Sequence, residues 1–217
     1  MKLKFIYIIM NRTDIINLLI EKYKYKSYLE IGLDNPYNNY CNINCELKHS
    51  VDPYFEKDHQ GTDAPIEEEF FKYLTYRMTS DEFFASSDMK YDIIFIDGLH
   101  CEDQVGKDII NGLKHLNKNG KIVVHDCLPN SEIAQIVPRQ TGEWNGDVWK
   151  AITMLHTQNI HYDIVDTDYG CGVISWHDNP EGLKYLEHSP YVWSDYEKDR
   201  NRILNIISIK EFQEKYL

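Results

Sequence analysis

The chain has 217 residues, of which 42% are hydrophobic and 27% are charged, and this composition is typical of a globular protein rather than a disordered segment. Its formal net charge of −12 argues against nucleic acid as the main partner, because a protein binds phosphates through a basic face. Five cysteines without a C-x-x-C pair argue against a disulfide framework or a zinc knuckle, so reduced thiols and a cytoplasmic location are expected.

The first ten residues are apolar after two early lysines and are followed by the polar run Asn11–Asp14. This stretch is too short for a membrane span and lacks the cleavage site of a secretory signal, so we expect an edge strand or an early helix there, and no membrane partner. The sequence contains no internal repeat and no Pro/Gly/Ser-rich linker, which favours a single domain over residues 1–217. We expect its core at about residues 26–176, with an N-terminal helical extension and a C-terminal tail.

Hydrophobic patterning predicts a series of alternating strands and helices. In chain order these are a helix with Thr13 or Asp14 as its cap, strands at Ser27–Ile31 and His49–Asp52, a helix at Ile66–Tyr76, a strand at Tyr91–Asp97, a helix at Glu102–Leu116 with a stop at Asn119-Gly120, a strand at Lys121–Asp126, a helix after Asp147, and strands at His161–Val165 and Gly172–Trp176. A strand, a helix and a strand in succession imply two parallel strands. The pattern predicts a doubly wound α/β fold with a mostly parallel sheet and helices on both faces.

Polar residues and a glycine lie at four predicted strand ends, and they are Glu30 with Gly32, Asp52, Asp97, and the pair His125-Asp126. Ligands of doubly wound sheets bind outside the carboxyl ends of the strands, so this edge is the predicted binding site. Gly32 would let the backbone approach a ligand closely, and the Asp52 carboxylate could accept two hydrogen bonds from vicinal hydroxyls. Glu30 would add negative charge beside a cationic ligand.

The segments YLEIG (Tyr28–Gly32) and VDP (Val51–Pro53) resemble the first two strand ends of the class I S-adenosylmethionine-dependent methyltransferases. This resemblance implies a Rossmann-like methyltransferase fold with a seven-stranded sheet. It also implies that S-adenosyl-L-methionine is the cofactor and that Glu30, Gly32 and Asp52 contact it.

The sequence departs from the family pattern after Gly32, where no second glycine follows. Asn35 and Pro36 are therefore expected to shape this loop. The same absence disfavours a nicotinamide cofactor, because a dinucleotide site normally contains G-x-G-x-x-G.

Four further segments resemble the metal-dependent sugar O-methyltransferase branch of this family, and they are TSDEFF (79–84), FIDGLH (95–100), VVHD (123–126) and GDVWKA (146–151). The resemblance implies O-methylation of a sugar or a small glycosylated metabolite. It also implies a divalent cation, magnesium or manganese, held by Asp97, His125 and Asp126. A histidine ligand suits manganese, iron or zinc better than magnesium.

The resemblance further implies that His100 is the general base, and the ordinary histidine pKa near 6.5 suits removal of a hydroxyl proton at neutral pH. Asp97 would act with it in catalysis, and both would lie against the cofactor. Two other roles are open for His100, a contact to the cofactor alone and a structural cap of the following helix. Ser80 is expected either to contact the adenine or to act as the N-cap of a short helix.

Trp144 and Asp147 are candidate acceptor-binding residues, because aromatic rings beside polar groups suit a sugar, whose C–H faces are apolar. For Asp147 the alternative is an N-cap of the next helix, and for Trp149 it is packing in the core.

Three classes of function remain open from the sequence. The leading hypothesis is an O-methyltransferase that acts on a small-molecule or sugar acceptor. The altered loop after Gly32 keeps open a catalytically inactive, methyltransferase-like binding module. An NAD-dependent oxidoreductase is the third and weakest hypothesis. A homo-oligomer is compatible with each of them.

Overall fold

The computed structural model of the protein describes residues 10–53 and 68–217. Its helices are α1 (Arg12–Tyr23), α2 (Ser80–Ser86), α3 (Glu102–Lys114), α4 (Val148–Thr153), α5 (Trp193–Ile203) and α6 (Ile209–Tyr216). Its strands are β1 (Ser27–Ile31), β2 (Leu47–Val51), β3 (Tyr91–Ile96), β4 (Leu116–Val124), β5 (Tyr162–Val165), β6 (Cys171–Ser175) and β7 (Ile206–Ile207). The edge strand or helix predicted at residues 1–10 lies outside the described residues, except for Met10.

The seven strands form one sheet in the order β2-β1-β3-β4-β6-β5-β7. Strand β6 runs antiparallel to both of its neighbours, and every other pairing is parallel. Helices α2 to α5 pack on one face of the sheet, and α1 and α6 pack on the other. This confirms the predicted α/β fold with a mostly parallel sheet covered on both faces.

The central strands are apolar on both faces because helices cover both. All five residues of β1 are buried, and Ile93, Ile94 and Phe95 of β3 are completely buried. Such continuous apolar runs are typical of parallel strands inside an α/β sheet. The same burial leaves the strand ends as the place where polar side chains can reach solvent or a ligand.

Helix α1 begins earlier than the sequence suggested. Asn11 is its N-cap, and Asn11 and Asp14 form a reciprocal capping box, with the Asp14 amide donating to the Asn11 side chain at 3.1 Å. This cap makes Arg12 the first helical residue, with its backbone amide free to bind elsewhere.

Strand β4 begins at Leu116 instead of Lys121, so the Asn119-Gly120 pair lies within a strand and not at the end of a helix. Asn119 is left-handed with φ +66°, and a Cβ on Gly120 would lie 2.7 Å from the Asp92 carbonyl oxygen. The register of β3 and β4 shifts over this stretch. These residues therefore form an irregular entry to β4, and α3 ends at Lys114.

Two other segments differ from their predictions. The helix expected at Ile66–Tyr76 begins outside the described residues, and its described part is a 3-10 helix, Glu68–Tyr73. The expected C-terminal tail contains α5, β7 and α6, and β7 extends the sheet by pairing with β5. Phe212 of α6 is completely buried, so this segment is part of the core.

Within residues 10–53 and 68–217, no helix has both the length and the apolar character that crossing a membrane requires.

Asp92 ties three strands together at the amino end of the sheet. Its Oδ2 accepts hydrogen bonds from the Lys26 amide at 2.7 Å and the Ser27 amide at 3.1 Å, and its Oδ1 accepts from the Asn117 side chain at 2.8 Å. We expect Asp92→Ala to lower the free energy of unfolding by about 2 kcal/mol or more, because two backbone amides lose their acceptor. Urea unfolding measures this, with Asp88→Ala at a neighbouring exposed position as the control. Equal decreases in the free energy of unfolding of the two variants would contradict this prediction.

Candidate active site

Asp97 and His125 lie side by side because they follow paired residues. Ile96 of β3 pairs with Val124 of β4, and the His125 amide donates to the Ile96 carbonyl at 3.0 Å. The Asp97 amide donates to the Ile31 carbonyl of β1 at 2.9 Å. The two side chains therefore meet at the carboxyl edge of the sheet, as the sequence predicted.

Four side chains converge at this edge, and we call Asp97, His100, His125 and Asp126 the strand-end cluster. His100 Nε2 is 3.2 Å from Asp97 Oδ1, and His100 Nδ1 is 3.4 Å from Asp126 Oδ2. His125 Nδ1 is 3.3 Å from both Asp97 Oδ1 and Asp126 Oδ2. The Nδ1 atoms of both histidines are buried and lack a hydrogen-bond partner in spite of these short distances.

Asp126 is held in an uncommon backbone conformation. Its φ is +61°, which a residue other than glycine adopts only where the surrounding structure enforces it. Its side chain is buried, and its Oδ1 accepts a hydrogen bond from the Asn145 side chain at 2.5 Å. The loop before α4 therefore helps to aim Oδ2 at the two imidazoles.

The charges of the cluster stabilise one another. Burial raises the pKa of Asp97, but the charge of His125 and the contacts with His100 lower it by more, so its net pKa lies well below the ordinary value. Burial lowers the pKa of His125, and the charge of Asp97 with the other adjoining carboxylates raises it well above the ordinary value. For His100 burial likewise lowers the pKa, yet Asp97 and Asp126 raise it overall.

Two residues that the sequence analysis missed border the cluster on the other side of His125. His125 Nε2 lies 3.2 Å from Arg12 Nη1 and 3.5 Å from Asp168 Oδ2. Asp168 follows β5, so the rule that singled out the other strand ends could have found it. Arg12 opens α1 and carries no such signal.

The cofactor side of the site is built from the ends of β1 and β2. The Gly32 amide donates to the Val51 carbonyl at 2.9 Å, and the Leu33 amide donates to Asp52 Oδ2 at 3.0 Å. Asp52 and Gly32 therefore lie next to each other, as a nucleoside site requires. Asn35 Oδ1 accepts from the Tyr37 amide at 3.0 Å, so Asn35 shapes the loop after Gly32 as expected.

Gly32 is required by packing within the protein. Its φ is +87°, and a Cβ would lie 2.2 Å from the Asp97 carbonyl oxygen and 2.5 Å from Gly98 Cα. The glycine thus lets the end of β1 lie directly against the turn after β3. This differs from the predicted reason, which was close approach to a ligand.

Glu30 is only 2% exposed and lies within a polar network under the cofactor side. Tyr28 Oη donates to Glu30 Oε2, and the Asn39 side chain donates to the same oxygen at 2.9 Å. Burial raises the pKa of Glu30 to about 8. The carboxyl group is therefore neutral at pH 7 in the protein alone, and a cation beside it would favour its ionised form.

Ser80 and Asp147 form contacts within the protein. Thr79, and not Ser80, is the N-cap of α2, and Ser80 Oγ accepts from the Gln104 side chain of α3 at 3.1 Å. Asp147 Oδ1 accepts from the Glu102 amide at 2.7 Å, so this carboxylate caps α3 rather than the helix that follows it. These contacts give both residues structural roles, and their predicted contacts to adenine and acceptor remain predictions.

Of Trp144 and Trp149, only Trp144 lies at the cluster. Its ring stacks on His100 with centroids 5.1 Å apart and an interplanar angle of 22°, and its Nε1 donates to the Ile136 carbonyl at 2.7 Å. Trp149 is completely buried in the core. A Cβ on Gly146 would lie 1.8 Å from the His100 carbonyl oxygen, so the Trp144–Gly146 loop packs tightly on the His100 segment.

The strand-end cluster has the donor set of a divalent cation site. One ligand atom each from Asp97, His100 and Asp126 lie within 4.8 Å of one another, and His125 Nδ1 lies 3.3 Å from oxygens of Asp97 and Asp126. A cation there would give the unpartnered Nδ1 of His125 a partner. The mixed carboxylate and imidazole ligands suit manganese, iron or zinc better than magnesium.

Comparison with known proteins found one family model and several solved structures that are similar to this chain. A family model described as a methyltransferase domain matches residues 39–127, which include Asp52, Asp97 and His125. No curated protein matches the sequence. The chain is 18% identical to the SAH-bound methyltransferase PaMTH1 of Podospora anserina, with a TM-score of 0.52 over 77% of this chain and 78% of that one. It is 9% identical to cofactor-bound Rv0187 from MTB, with a TM-score of 0.50 over 80% of this chain and 84% of that one.

Residues 39–127 are thus similar to a methyltransferase domain, and the seven strands form a mostly parallel sheet with one reversed strand. The structural likenesses, both under 25% identity, establish the fold.

The neutral, buried Glu30 predicts a pH dependence of stability. The folded chain keeps the Glu30 proton up to a pKa of about 8, whereas the unfolded chain loses it near 4.5, so stability falls as pH rises between these values. Each pKa unit corresponds to about 1.4 kcal/mol, and we expect a loss of a few kcal/mol from this group.

Glu30→Gln keeps an acceptor for Tyr28 and Asn39 but cannot ionise. Its free energy of unfolding should therefore decrease less than that of the wild type between pH 5.5 and 8. Urea unfolding across this range measures the difference, with Glu21→Gln at an exposed site of α1 as the control. Parallel pH profiles of wild type and Glu30→Gln would disprove the assignment.

Proposed function

We propose that the chain is a class I S-adenosylmethionine-dependent methyltransferase, which transfers the methyl group of its cofactor to a hydroxyl oxygen of a sugar or a small glycosylated metabolite. The observation that carries the proposal is the strand-end cluster, in which two acids and two imidazoles converge beside the end of β1. An oxygen acceptor must lose its proton as it reacts, and this cluster offers the groups to take it. A carbon or nitrogen acceptor would often need no such groups.

The cofactor would lie across the ends of β1 and β2. The Asp52 carboxylate, which already accepts from the Leu33 amide, would accept from the ribose hydroxyls. Asp97 is next to Gly32 through the close packing of their turns, so its negative charge would face the sulfonium side of the cofactor.

His100 would act as the general base through Nδ1. Asp97 Oδ1 lies at hydrogen-bond distance from Nε2, and when it accepts the Nε2 proton, Nδ1 keeps a free lone pair. Trp144 stacks on the ring and restricts its rotation. Asp97 thus orients the base, in the way a carboxylate orients a catalytic histidine elsewhere.

Asp97, His125 and Asp126 would hold a divalent cation, with manganese favoured over magnesium by the histidine ligand. When bound, the cation would lower the pKa of the acceptor hydroxyl and fix its direction.

The reaction balances without any further reactant. The acceptor oxygen forms a bond to the methyl carbon while the carbon–sulfur bond breaks, and sulfur keeps the electron pair to give neutral S-adenosylhomocysteine. The hydroxyl proton passes to His100 Nδ1 and then to solvent. Holding donor and acceptor in line supplies much of the rate enhancement, because it replaces a bimolecular encounter by a positioned one.

Trp144 would border the acceptor, since its indole lies at the cluster. An indole face can pack on the C–H face of a pyranose. The sugar class rests on this ring and on the resemblance of the motifs from Phe95 to Asp126.

Cofactor binding is the first test. We expect calorimetry to show binding of S-adenosylmethionine and S-adenosylhomocysteine, and no binding of NAD. Formation of S-adenosylhomocysteine with a panel of hydroxylated and glycosylated small molecules then measures turnover. Binding without turnover on any acceptor would favour the inactive binding module, and binding of NAD alone would favour the oxidoreductase.

His100→Gln tests the base. We expect kcat to fall by about 10²- to 10⁴-fold, as for other general bases, while the Kd of S-adenosylhomocysteine changes by less than about threefold. His156→Gln, at an exposed position after α4, is the matched control and should keep full activity. A weakened Kd with unchanged kcat would instead assign His100 to cofactor binding.

A further inference from the structure

We propose that Asp168 is a positioning residue, which accepts a hydrogen bond from Nε2–H of His125 so that His125 Nδ1 directs its lone pair at a cation held with Asp97 and Asp126. The inference rests on the proposed function, because it concerns the cation site described there. It assigns a role to a residue outside all the motifs noted in the sequence.

The His125 ring lies between two groups of side chains. On one side Nδ1 is 3.3 Å from Asp97 Oδ1 and from Asp126 Oδ2, with no hydrogen bond formed. On the other side Nε2 is 3.5 Å from Asp168 Oδ2. A neutral imidazole has one donor nitrogen and one acceptor nitrogen, so the proton on Nε2 leaves Nδ1 free to bind a cation.

Asp168 is the group at Nε2 that can receive this proton. Arg12 Nη1 is also 3.2 Å from Nε2, but a guanidinium only donates hydrogen bonds. Carboxylates that accept from the remote nitrogen of a metal-binding histidine fix both its tautomer and its orientation.

Arg12 fixes Asp168 in turn. The Arg12 amide donates to Asp168 Oδ2 at 2.9 Å, and Arg12 Nη1 lies 3.2 Å from the same oxygen and 3.4 Å from Oδ1. The bond from the amide uses the free first turn of α1, so the helix end and the guanidinium both hold the carboxylate.

The backbone around Asp168 is equally constrained. Asp168, Tyr169 and Gly170 all have left-handed φ angles, of +47°, +59° and +87°. The turn is bonded to the segment after His125, since the Cys127 amide donates to the Gly170 carbonyl at 3.0 Å and the Leu128 amide donates to the Tyr169 carbonyl at 2.6 Å. A strained turn that is held in this way points to a side chain whose direction matters.

A second cation at this turn is disfavoured. His125, Asp168 and Cys171 also offer ligand atoms within 4.8 Å of one another. The permanent positive charge of Arg12, 3.2 Å from both His125 Nε2 and Asp168 Oδ2, would repel a cation there. The group therefore serves to orient His125.

Calorimetric titration with MnCl2, in the presence of S-adenosylhomocysteine, tests the inference on the full chain. We expect the wild type to bind one manganese ion, Asp168→Asn to bind it 10- to 100-fold more weakly, and Asp166→Asn, an exposed control in the same turn, to bind like the wild type. Equal manganese affinity in Asp168→Asn and the wild type would overturn the role of Asp168 and leave the proposed reaction intact. No manganese binding by the wild type would overturn both the cation site and this inference.

Long-range ¹H–¹⁵N NMR of histidine-labelled, zinc-loaded wild-type protein gives a second readout that needs no variant. We expect the His125 ring to be protonated on Nε2 and unprotonated on Nδ1. The opposite tautomer has the proton on Nδ1, and Arg12 then donates to an unprotonated Nε2. This result would overturn the inference even if Asp168→Asn failed to fold.

Discussion

The parallel register of β3 and β4 determines the rest of the site. Because Ile96 pairs with Val124, the residues that follow them must share one small space at the edge of the sheet. Buried charges are costly unless they are paired, and here three carboxylates face one guanidinium and two imidazoles. The surrounding loops are shaped to satisfy this group, through the left-handed backbone of Asp126 and the side chain of Asn145.

The sequence predicted the core of the fold because burial leaves a clear pattern. Strand β1 has the predicted bounds, and β3 and β5 differ from theirs by one residue. The start of β4 was missed because Leu116 continues the apolar face of α3, and only tertiary contact with β3 places it in a strand. The C-terminal elements were missed because α5 is highly charged and β7 has two residues, so neither carries a strong hydrophobic period.

At the site, the sequence predicted the contacts between residues at the ends of adjacent strands. It missed the contacts made by residues in distant loops and helices. Asp52 beside Gly32 and Asp97 beside Asp126 follow from topology alone. The pairing of Ser80 with Gln104 and of Asp147 with the start of α3 depends on how helices pack, which one sequence does not encode locally. Arg12 reaches the cluster only because the cap at Asn11 sets where α1 begins.

The reversed direction of β6 has a consequence for which parts of the chain can line the active site. A strand that enters the sheet from the edge with the strand-end cluster brings the connection before it to that edge, so residues 166–170 flank the cluster from a side that an all-parallel sheet would leave to a helix crossover. Changes in this short hairpin would therefore alter the surroundings of His125 without altering β1 or β2.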